Sequence, residues 1–196
     1  MQLCAVASDH EGLLLSMVAG TDRGRILDEK QRSSVENVIS LMERENEMEM
    51  AFPQNLSMLD GRWRLIYTTR STPSATVFGA VRGVYQVFDT SNRTVENRIE
   101  FSLLPNMPRS PARTSVAITS KFETIDNSRL RLKISNLSIQ LGNLEPRMLV
   151  SIPPELAPFK YLTDGSDDVD ITYVADTGVR VLRSMRGELR VFVKDF

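Results

Sequence analysis

The change in hydrophobic periodicity at Gly61 constrains the fold more than any other feature of the sequence. Before it, apolar residues recur at helical spacing, and after it they alternate with polar residues, as in strands with one buried face. Trp63, the only tryptophan among 196 residues, lies in the first of these strands. Glycine two positions earlier allows a sharp turn, and the indole would then plug one end of a barrel, where its N–H needs a partner. The same pattern also fits a turn followed by an ordinary core strand.

Two helices are predicted in the first third of the chain. Ser8 and Glu11 have the spacing of a capping box, so the first helix should begin there and end at Gly20. A second helix is predicted over Ser34–Glu43, because its apolar residues fall on one helical face. These residues are Val35, Val38, Ile39 and Met42.

Eight or nine strands are predicted from Trp63 onward. The clearest lies at residues 129–134, where leucine and isoleucine alternate with basic side chains. Strands with one apolar face and short polar turns indicate a closed or nearly closed antiparallel barrel, and a two-sheet sandwich is the alternative. The predicted fold class is therefore mainly β, with α-helices before the barrel. The proline-rich segments 105–111 and 153–158 are predicted to be loops long enough to cover a barrel mouth.

The composition is that of an ordinary globular domain. Hydrophobic residues make up 41% and charged residues 25% of the chain, which is typical of soluble proteins. No apolar run approaches the roughly 18 residues that a membrane-spanning helix needs. Cys4 is the only cysteine, so an intrachain disulfide and a cysteine zinc cluster are excluded.

The net charge of −1 hides an asymmetry along the chain. Residues 1–60 contain 11 acidic and 5 basic side chains, whereas residues 62–133 contain 12 basic and 5 acidic ones. The basic residues are scattered at strand spacing and match no nucleic-acid motif, so no nucleic-acid partner is predicted. They favour a weak peripheral attraction to anionic lipid headgroups. Solvated outer faces of strands are the alternative explanation.

Residues able to support catalysis or bind a metal are few. His10 is the only histidine, and it lies in the first helix, away from the strands that would carry a nucleophile. The segment Gly79–Gly83 lacks the lysine and the spacing of a phosphate-binding loop. The acidic run Asp164–Asp170 lacks EF-hand spacing and is typical of a turn. No catalytic residue, cofactor or metal site is therefore predicted.

The stretch Leu59–Thr69 resembles the motif that opens the barrel of the plastid lipid-associated proteins, also called plastid fibrillins. Upstream, Gly12–Leu15 resembles their short helix and Val35–Glu43 their amphipathic helix. Between these, residues 22–24 resemble their Asn-Arg-Gly turn, with Asp22 in place of the usual asparagine. Downstream, two segments resemble the next two strands, Gly83–Asp89 and Val95–Phe101.

The end of the chain resembles the closing pattern of the same family, with departures. The matching residues are Tyr173, Asp176, Val179–Val181, Arg183 and Phe192–Val193. An extra residue separates Tyr173 from Asp176, Ser184 stands where glycine is usual, and Arg190–Val191 lengthens the last strand. These departures bear on ligand preference and subfamily rather than on the fold.

The resemblance implies a fold, a location and a function. The fold is a lipocalin-like β-barrel over residues 59–196, with a helical segment at residues 1–58 packed on it as part of one structural domain. The location is the chloroplast, at plastoglobules, thylakoids or in the stroma, for a chain that lacks its transit peptide. The function is non-enzymatic binding or storage of hydrophobic small molecules: prenylquinones, carotenoids or acyl lipids.

Two other functions remain open. A barrel with a filled core would suit a protein-interaction or assembly factor for a photosynthetic or quinone-biosynthesis complex, with the acidic helices as its docking surface. A lipid isomerase or cyclase would need a polar group in the cavity, such as Tyr67, Tyr85 or Glu100.

Strand alternation assigns one apolar face to the barrel interior. The candidate ligand-lining residues on this face are Trp63, Leu65, Tyr67, Val95, Ile99, Phe101, Leu130, Leu132, Val169, Ile171 and Tyr173. At the closed end, similarity to lipocalin-like barrels implies that Arg183 packs over Trp63, with Asp176 as a candidate counter-charge. An arginine that extends along the strand to water is the alternative.

Overall fold

The computed structural model describes residues 3–45, 52, 54–70, 75–76, 79–102, 113–140, 147–148 and 168–195. Two helices come first, α1 (Leu3–Val18) and α2 (Glu29–Glu45), and a short 3-10 helix (Leu56–Leu59) precedes the sheet. The strands of the described chain are β1 (Gly61–Thr68), β2 (Ala75–Thr76), β3 (Gly79–Asp89), β4 (Thr94–Ser102), β5 (Arg113–Thr124), β6 (Arg129–Gln140), β7 (Arg147–Met148), β8 (Asp168–Val174), β9 (Val179–Ser184) and β10 (Leu189–Lys194). The predicted loops at 105–111 and 153–158, and residues 164–167 of the acidic run, lie outside the described residues.

Eight of these strands form a ring in which every neighbouring pair is antiparallel. The order is β1–β10–β9–β8–β6–β5–β4–β3, and β3 pairs with β1 to close the ring. The short strands β2 and β7 extend the sheet beside β3 and β6. Ring closure removes the open sheet edges through which chains otherwise aggregate. The predicted fold class, a mainly β protein with N-terminal helices and an antiparallel barrel-like sheet, is confirmed.

The ring buries apolar residues on both of its faces. The inner cluster includes Trp63, Leu65, Val95, Ile99, Phe101, Phe122, Leu130, Val169, Ile171, Leu182 and Phe192. On the outside, both helices pack against β1, β8, β9 and β10. This outer cluster joins Leu14, Val18, Val35, Val38, Ile39 and Met42 of the helices to Tyr67, Tyr173, Val179, Val181, Leu189 and Val191 of the strands. The predicted apolar face of α2 is therefore the face that packs on the sheet.

The start of each helix differs from the prediction. Helix α1 begins at Leu3, so Ser8 lies inside it rather than at its N-cap. Helix α2 begins at Glu29 because Asp28 and Gln31 form a capping box that the hydrophobic pattern did not reveal. The Gln31 N–H donates to the Asp28 carboxylate at 2.8 Å, and the Asp28 N–H donates to the Gln31 side-chain oxygen at 2.9 Å.

The turn between the helices (residues 19–28, the interhelical turn) is fastened to β1. The Thr68 N–H donates to the Arg23 carbonyl oxygen at 3.2 Å. Gly24 has a φ of +83°, and a Cβ at this position would lie 2.6 Å from Cδ2 of Tyr67. Glycine is therefore required here by backbone conformation and by the approach of the tyrosine ring.

Candidate functional site

Trp63 closes one end of the barrel. Its side chain is 1% exposed, and its indole N–H donates to the Leu59 carbonyl at 2.7 Å. Leu59 ends the 3-10 helix that lies across this end, and the same helix contributes the buried Leu56. The partner that a buried indole N–H requires thus comes from the segment immediately before the first strand.

A second group at this end, Arg180 of β9, was not predicted. The side chain is fully buried, and its guanidinium carbon lies 4.5 Å from the Trp63 ring centre, 4.7 Å from Phe192 and 4.9 Å from Phe88. Three aromatic faces around one cation stabilise its charge, and no carboxylate of the described residues forms an ion pair with it. Burial lowers the pKa of Arg180 to about 9, because desolvation disfavours the charged form.

Arg180 also heads a short polar chain inside the barrel. Its Nη2 donates to Oε1 of Gln86 at 2.5 Å, and Nε2 of Gln86 donates to Oδ1 of Asn97 at 2.9 Å. Within the described residues, Nε and Nη1 of Arg180 have no hydrogen-bond partner. Gln86 and Asn97 interrupt the apolar alternation of β3 and β4 at inward positions. Polar residues at inward strand positions are the sequence pattern from which these hydrogen bonds could have been predicted.

The prediction that Arg183 packs over Trp63 is wrong, because Arg180 takes that place. Arg183 lies on the outer face of β9 and forms two hydrogen bonds of 2.8 Å with the Glu43 carboxylate of α2. This ion pair raises the pKa of Arg183. Asp176 is exposed in the turn between β8 and β9 and is not the counter-charge. Both faces of β9 are buried, so alternation alone did not identify the inward one.

Nine of the eleven candidate lining residues face the barrel interior. Eight are buried in the inner cluster, and Leu132 is partly buried against it. The prediction is wrong for Tyr67 and Tyr173, which lie on the outer face in the cluster beneath the helices. A β-bulge between Leu65 and Tyr67 and another between Ile171 and Tyr173 each insert one residue and so reverse the alternation.

The two tyrosines anchor the helices. The Tyr67 hydroxyl donates to the Glu36 carboxylate at 3.3 Å, and the Tyr173 hydroxyl donates to the buried Glu11. Burial raises the pKa of Tyr67 to about 12, and the neighbouring Glu36 adds to the effect. The pKa of Tyr173 is raised for the same two reasons, with Glu11 as the neighbour.

The end of the barrel opposite Trp63 exposes apolar side chains. Val81, Leu137 and Ile139 are only partly buried against the inner cluster. Ile134, which pairs with the inward Ser120, is 46% exposed. These side chains are exposed because, within the described residues, β8 pairs with β6 only at residues 129–131 and does not extend along the rest of β6.

The polar residues considered for catalysis do not meet inside the barrel. Tyr85 lies on the outer face with its ring 3.8 Å from the Arg62 guanidinium carbon, and Glu100 accepts a hydrogen bond from Arg62 at 3.1 Å. His10 contacts Glu45 of α2 at 2.9 Å. Among the described residues no group of three acidic, histidine or cysteine side chains has a metal-binding arrangement. The helices of the described chain are too short or too polar to cross a membrane.

The sequence is similar to a known protein family over most of its length. The model of the family described as PAP_fibrillin matches residues 8–193. The chain is 28% identical to "Plastid-lipid-associated protein 6, chloroplastic" of Arabidopsis thaliana over 92% of its length, and covers 68% of that protein. It is also 28% identical to "Chromoplast-specific carotenoid-associated protein C1, chromoplastic" of an Oncidium hybrid, covering 83% of this chain and 53% of that one.

A third relative, "Plastid-lipid-associated protein, chloroplastic" of Citrus unshiu, is 28% identical over 93% of this chain and 66% of its own length. The chain thus spans between about half and two thirds of the length of these three relatives. The resemblance derived from the sequence motifs is confirmed.

Proposed function

Since the chain belongs to the PAP_fibrillin family, we propose that it binds or stores hydrophobic small molecules in its barrel without catalysing a reaction. The family gives it a plastid lipid-associated role and a plastid location. The ligand class we propose is a prenylquinone, a carotenoid or an acyl lipid, held at plastoglobules or at the thylakoid surface. One relative is named for its association with carotenoid.

The observation that carries the proposal is the asymmetry of the barrel interior. One end is sealed by Trp63 and the 3-10 helix, while the other presents partly exposed apolar side chains that include Leu137 and Ile139. A ligand that covers this apolar surface removes it from water, which stabilises the complex by roughly 25 cal/mol for each Å² buried. The site therefore favours long apolar molecules that enter at the open end.

The interior also supports a binding role over catalysis. Tyr67, Tyr85 and Glu100, the polar residues that an isomerase or cyclase would have used, all lie outside the ring. The inward polar chain of Arg180, Gln86 and Asn97 lies at the sealed end. General acid–base catalysis requires a group within hydrogen-bond reach of the substrate, and we place the ligand at the opposite end.

Neighbouring positions on β6 provide a matched test. Leu132 faces the interior and Lys133 is exposed, so Leu132→Gln and Lys133→Gln introduce the same side chain on opposite faces. We expect plastoquinone to quench the fluorescence of Trp63, the only tryptophan, in the wild type and in Lys133→Gln. Leu132→Gln should weaken quenching at least several-fold while keeping its circular dichroism spectrum.

Equal quenching in all three proteins would refute binding in the barrel interior. Mass spectrometry of the organic extract from protein purified from plastid membranes would then show whether any lipid is carried.

The alternative function, assembly of a photosynthetic or quinone-biosynthesis complex, relied on the acidic helices as a docking surface. Four of their acidic residues instead contact the protein itself. Glu11 and Glu36 accept hydrogen bonds from Tyr173 and Tyr67, Glu43 pairs with Arg183, and Glu45 contacts His10. These contacts support our proposal that segment 1–58 and barrel 59–196 form one structural domain. Recovery of a protein complex with no bound lipid would favour the assembly function.

A further inference from the structure

The barrel wall opens where β1 and β3 separate. Their ladder joins Gly61–Arg64 to Tyr85–Phe88 and ends there. Just beyond it, β1 carries a bulge after Leu65 and β3 carries a bulge before Gly83. Because a bulge bends its strand and increases the local twist, the two strands diverge and leave a groove in the wall. This groove lies on the side of the barrel.

The groove has a volume of about 530 Å³, which is within the range of small-ligand sites. The end of α1 and the interhelical turn form its outer wall, and the two strands form its floor. The lining includes Leu15, Asp22, Arg23, Arg64, Leu65 and Arg82. This size suits a lipid headgroup together with the first part of an acyl chain.

The charged lining of the groove is net positive. Three arginines, Arg23, Arg64 and Arg82, face one acidic side chain, Asp22. Asp22 is already bound by Arg23 at 2.8 Å and by Arg25 at 2.7 Å. Arg64 and Arg82 are exposed, and no carboxylate of the described residues forms an ion pair with either. The groove therefore keeps two cationic groups available for an anion.

Two other arginines of the barrel surface do form ion pairs with carboxylates. Arg62 pairs with Glu100 and Asp195, and Arg129 pairs with Asp170. The excess of basic residues between positions 62 and 133 is thus partly neutralised within the protein.

The floor of the groove is apolar. Leu65 belongs to the inner cluster of the barrel, and Ile66 and Val193 pack with the outer cluster. Leu15 of α1, at the rim, is 38% exposed. The Val18 carbonyl at the end of α1 accepts hydrogen bonds from both the N–H and the hydroxyl of Thr21, which reduces the negative end of the helix dipole. An amphiphile with an anionic head and an apolar chain matches this lining.

The outer wall is held in an uncommon backbone conformation. Asp22 and Arg23 have φ values of +50° and +62°, in the left-handed region that residues other than glycine seldom occupy. Their conformation is fixed by the bond from Thr68 to the Arg23 carbonyl and by the packing of Tyr67 against Gly24. Strained backbone of this kind is often found at sites that hold a ligand. Here it sets the position of Arg23 in the groove.

We propose that this groove binds the headgroup of an anionic membrane lipid and docks the side of the barrel on the membrane surface. Arg64 and Arg82 hold the headgroup oxygens, and Leu15, Leu65 and Ile66 contact the acyl chain. Leu65 borders both this groove and the barrel interior, so the two sites are tested with separate variants.

Co-sedimentation with lipid vesicles tests the groove. The vesicles contain phosphatidylcholine with or without phosphatidylglycerol, at low ionic strength. The groove variant is Arg64→Gln with Arg82→Gln, and the matched control is Lys121→Gln with Lys133→Gln, which removes the same charge from exposed positions on β5 and β6. We expect the groove variant to bind phosphatidylglycerol vesicles about thirtyfold more weakly, from about 1 kcal/mol for each basic residue at the surface. The control should change binding only a few-fold, because Lys121 and Lys133 lie on β5 and β6, away from the groove that holds the headgroup.

Equal losses in the two variants would overturn the groove in favour of diffuse surface charge, and unchanged binding of the groove variant would overturn it outright. Leu15→Gln adds a test of the acyl chain and should also weaken binding. If it binds as the wild type does and glycerol 3-phosphate displaces the protein, the groove is a site for free anions and the lipid proposal fails. Thermal unfolding of each variant shows that the fold is retained, and the quinone assay on the groove variant reports the barrel interior separately.

Discussion

Replacing Trp63 with alanine should remove the seal at the closed end of the barrel. Truncation of a buried tryptophan typically costs about 3–5 kcal/mol through lost burial and the cavity left behind. Here the Leu59 carbonyl also loses its donor, and Arg180 loses one of its three aromatic faces. An unpaired buried acceptor alone costs about 1–3 kcal/mol. Because these contributions overlap, we expect a total near the top of the range, at about 5 kcal/mol.

Urea unfolding followed by far-ultraviolet circular dichroism measures this loss, because the variant has no tryptophan to report fluorescence. At a typical slope of about 1–3 kcal/mol per molar urea, the midpoint should fall by roughly 2 M. Trp63→Phe is the control, since it keeps an aromatic face for Arg180 and removes only the N–H and part of the ring; its midpoint should lie between the other two. A midpoint for Trp63→Ala equal to that of the wild type would refute the role of this residue in closing the barrel.

Three further predictions concern the helices and their attachment. Gly24→Ala should destabilise the protein by more than about 1 kcal/mol, because Gly24 has a positive φ and a Cβ there would collide with the Tyr67 ring. Gly12 lies in α1 with open space around it. Gly12→Ala should therefore stabilise the protein by about 0.5–1 kcal/mol in the same urea assay. A double-mutant cycle of Arg183→Leu and Glu43→Gln should give a coupling of about 1 kcal/mol across the partly exposed ion pair; additive effects would contradict it. The raised pKa of Tyr67, about 12, predicts stability that is complete below pH 10 and declines as pH rises towards 12. Tyr67→Phe should lack that part of the alkaline decline, and identical decline in the two proteins would contradict the assignment.

The strands and the ring followed from the sequence because alternation is a local property. Residues 129–134 and 95–101 each present one apolar face, and the structure turns both faces towards the barrel interior, although Ile134 at the end of the first is 46% exposed. The β-bulges did not follow, because a bulge depends on the pairing of two strands that are distant in sequence. Tyr67 and Tyr173 were assigned to the interior for this reason, although each follows correctly predicted residues of its own strand.

The position of the buried arginine illustrates a different limit. Val179 and Val181 are apolar and face the helices, and Leu182 is apolar and faces the barrel interior. Alternation identifies an inward face only when the outward face is polar, and β9 has helices on one side and the barrel core on the other. Either Arg180 or Arg183 was therefore compatible with the interior until the placement of α1 and α2 was known.

The helices explain why the barrel has an apolar outer face at all. Residues of β1, β8, β9 and β10 outside the ring would form a large exposed apolar patch without α1 and α2, and such patches promote aggregation. Apolar packing covers this patch, while Glu11, Glu36 and Glu43 fix the orientation of the helices through hydrogen bonds to Tyr173, Tyr67 and Arg183. The same packing brings the end of α1 and the interhelical turn over the divergence of β1 and β3. The helices that protect the outer face thus also build the wall of the lateral groove, so changes that loosen them should affect stability and membrane binding together.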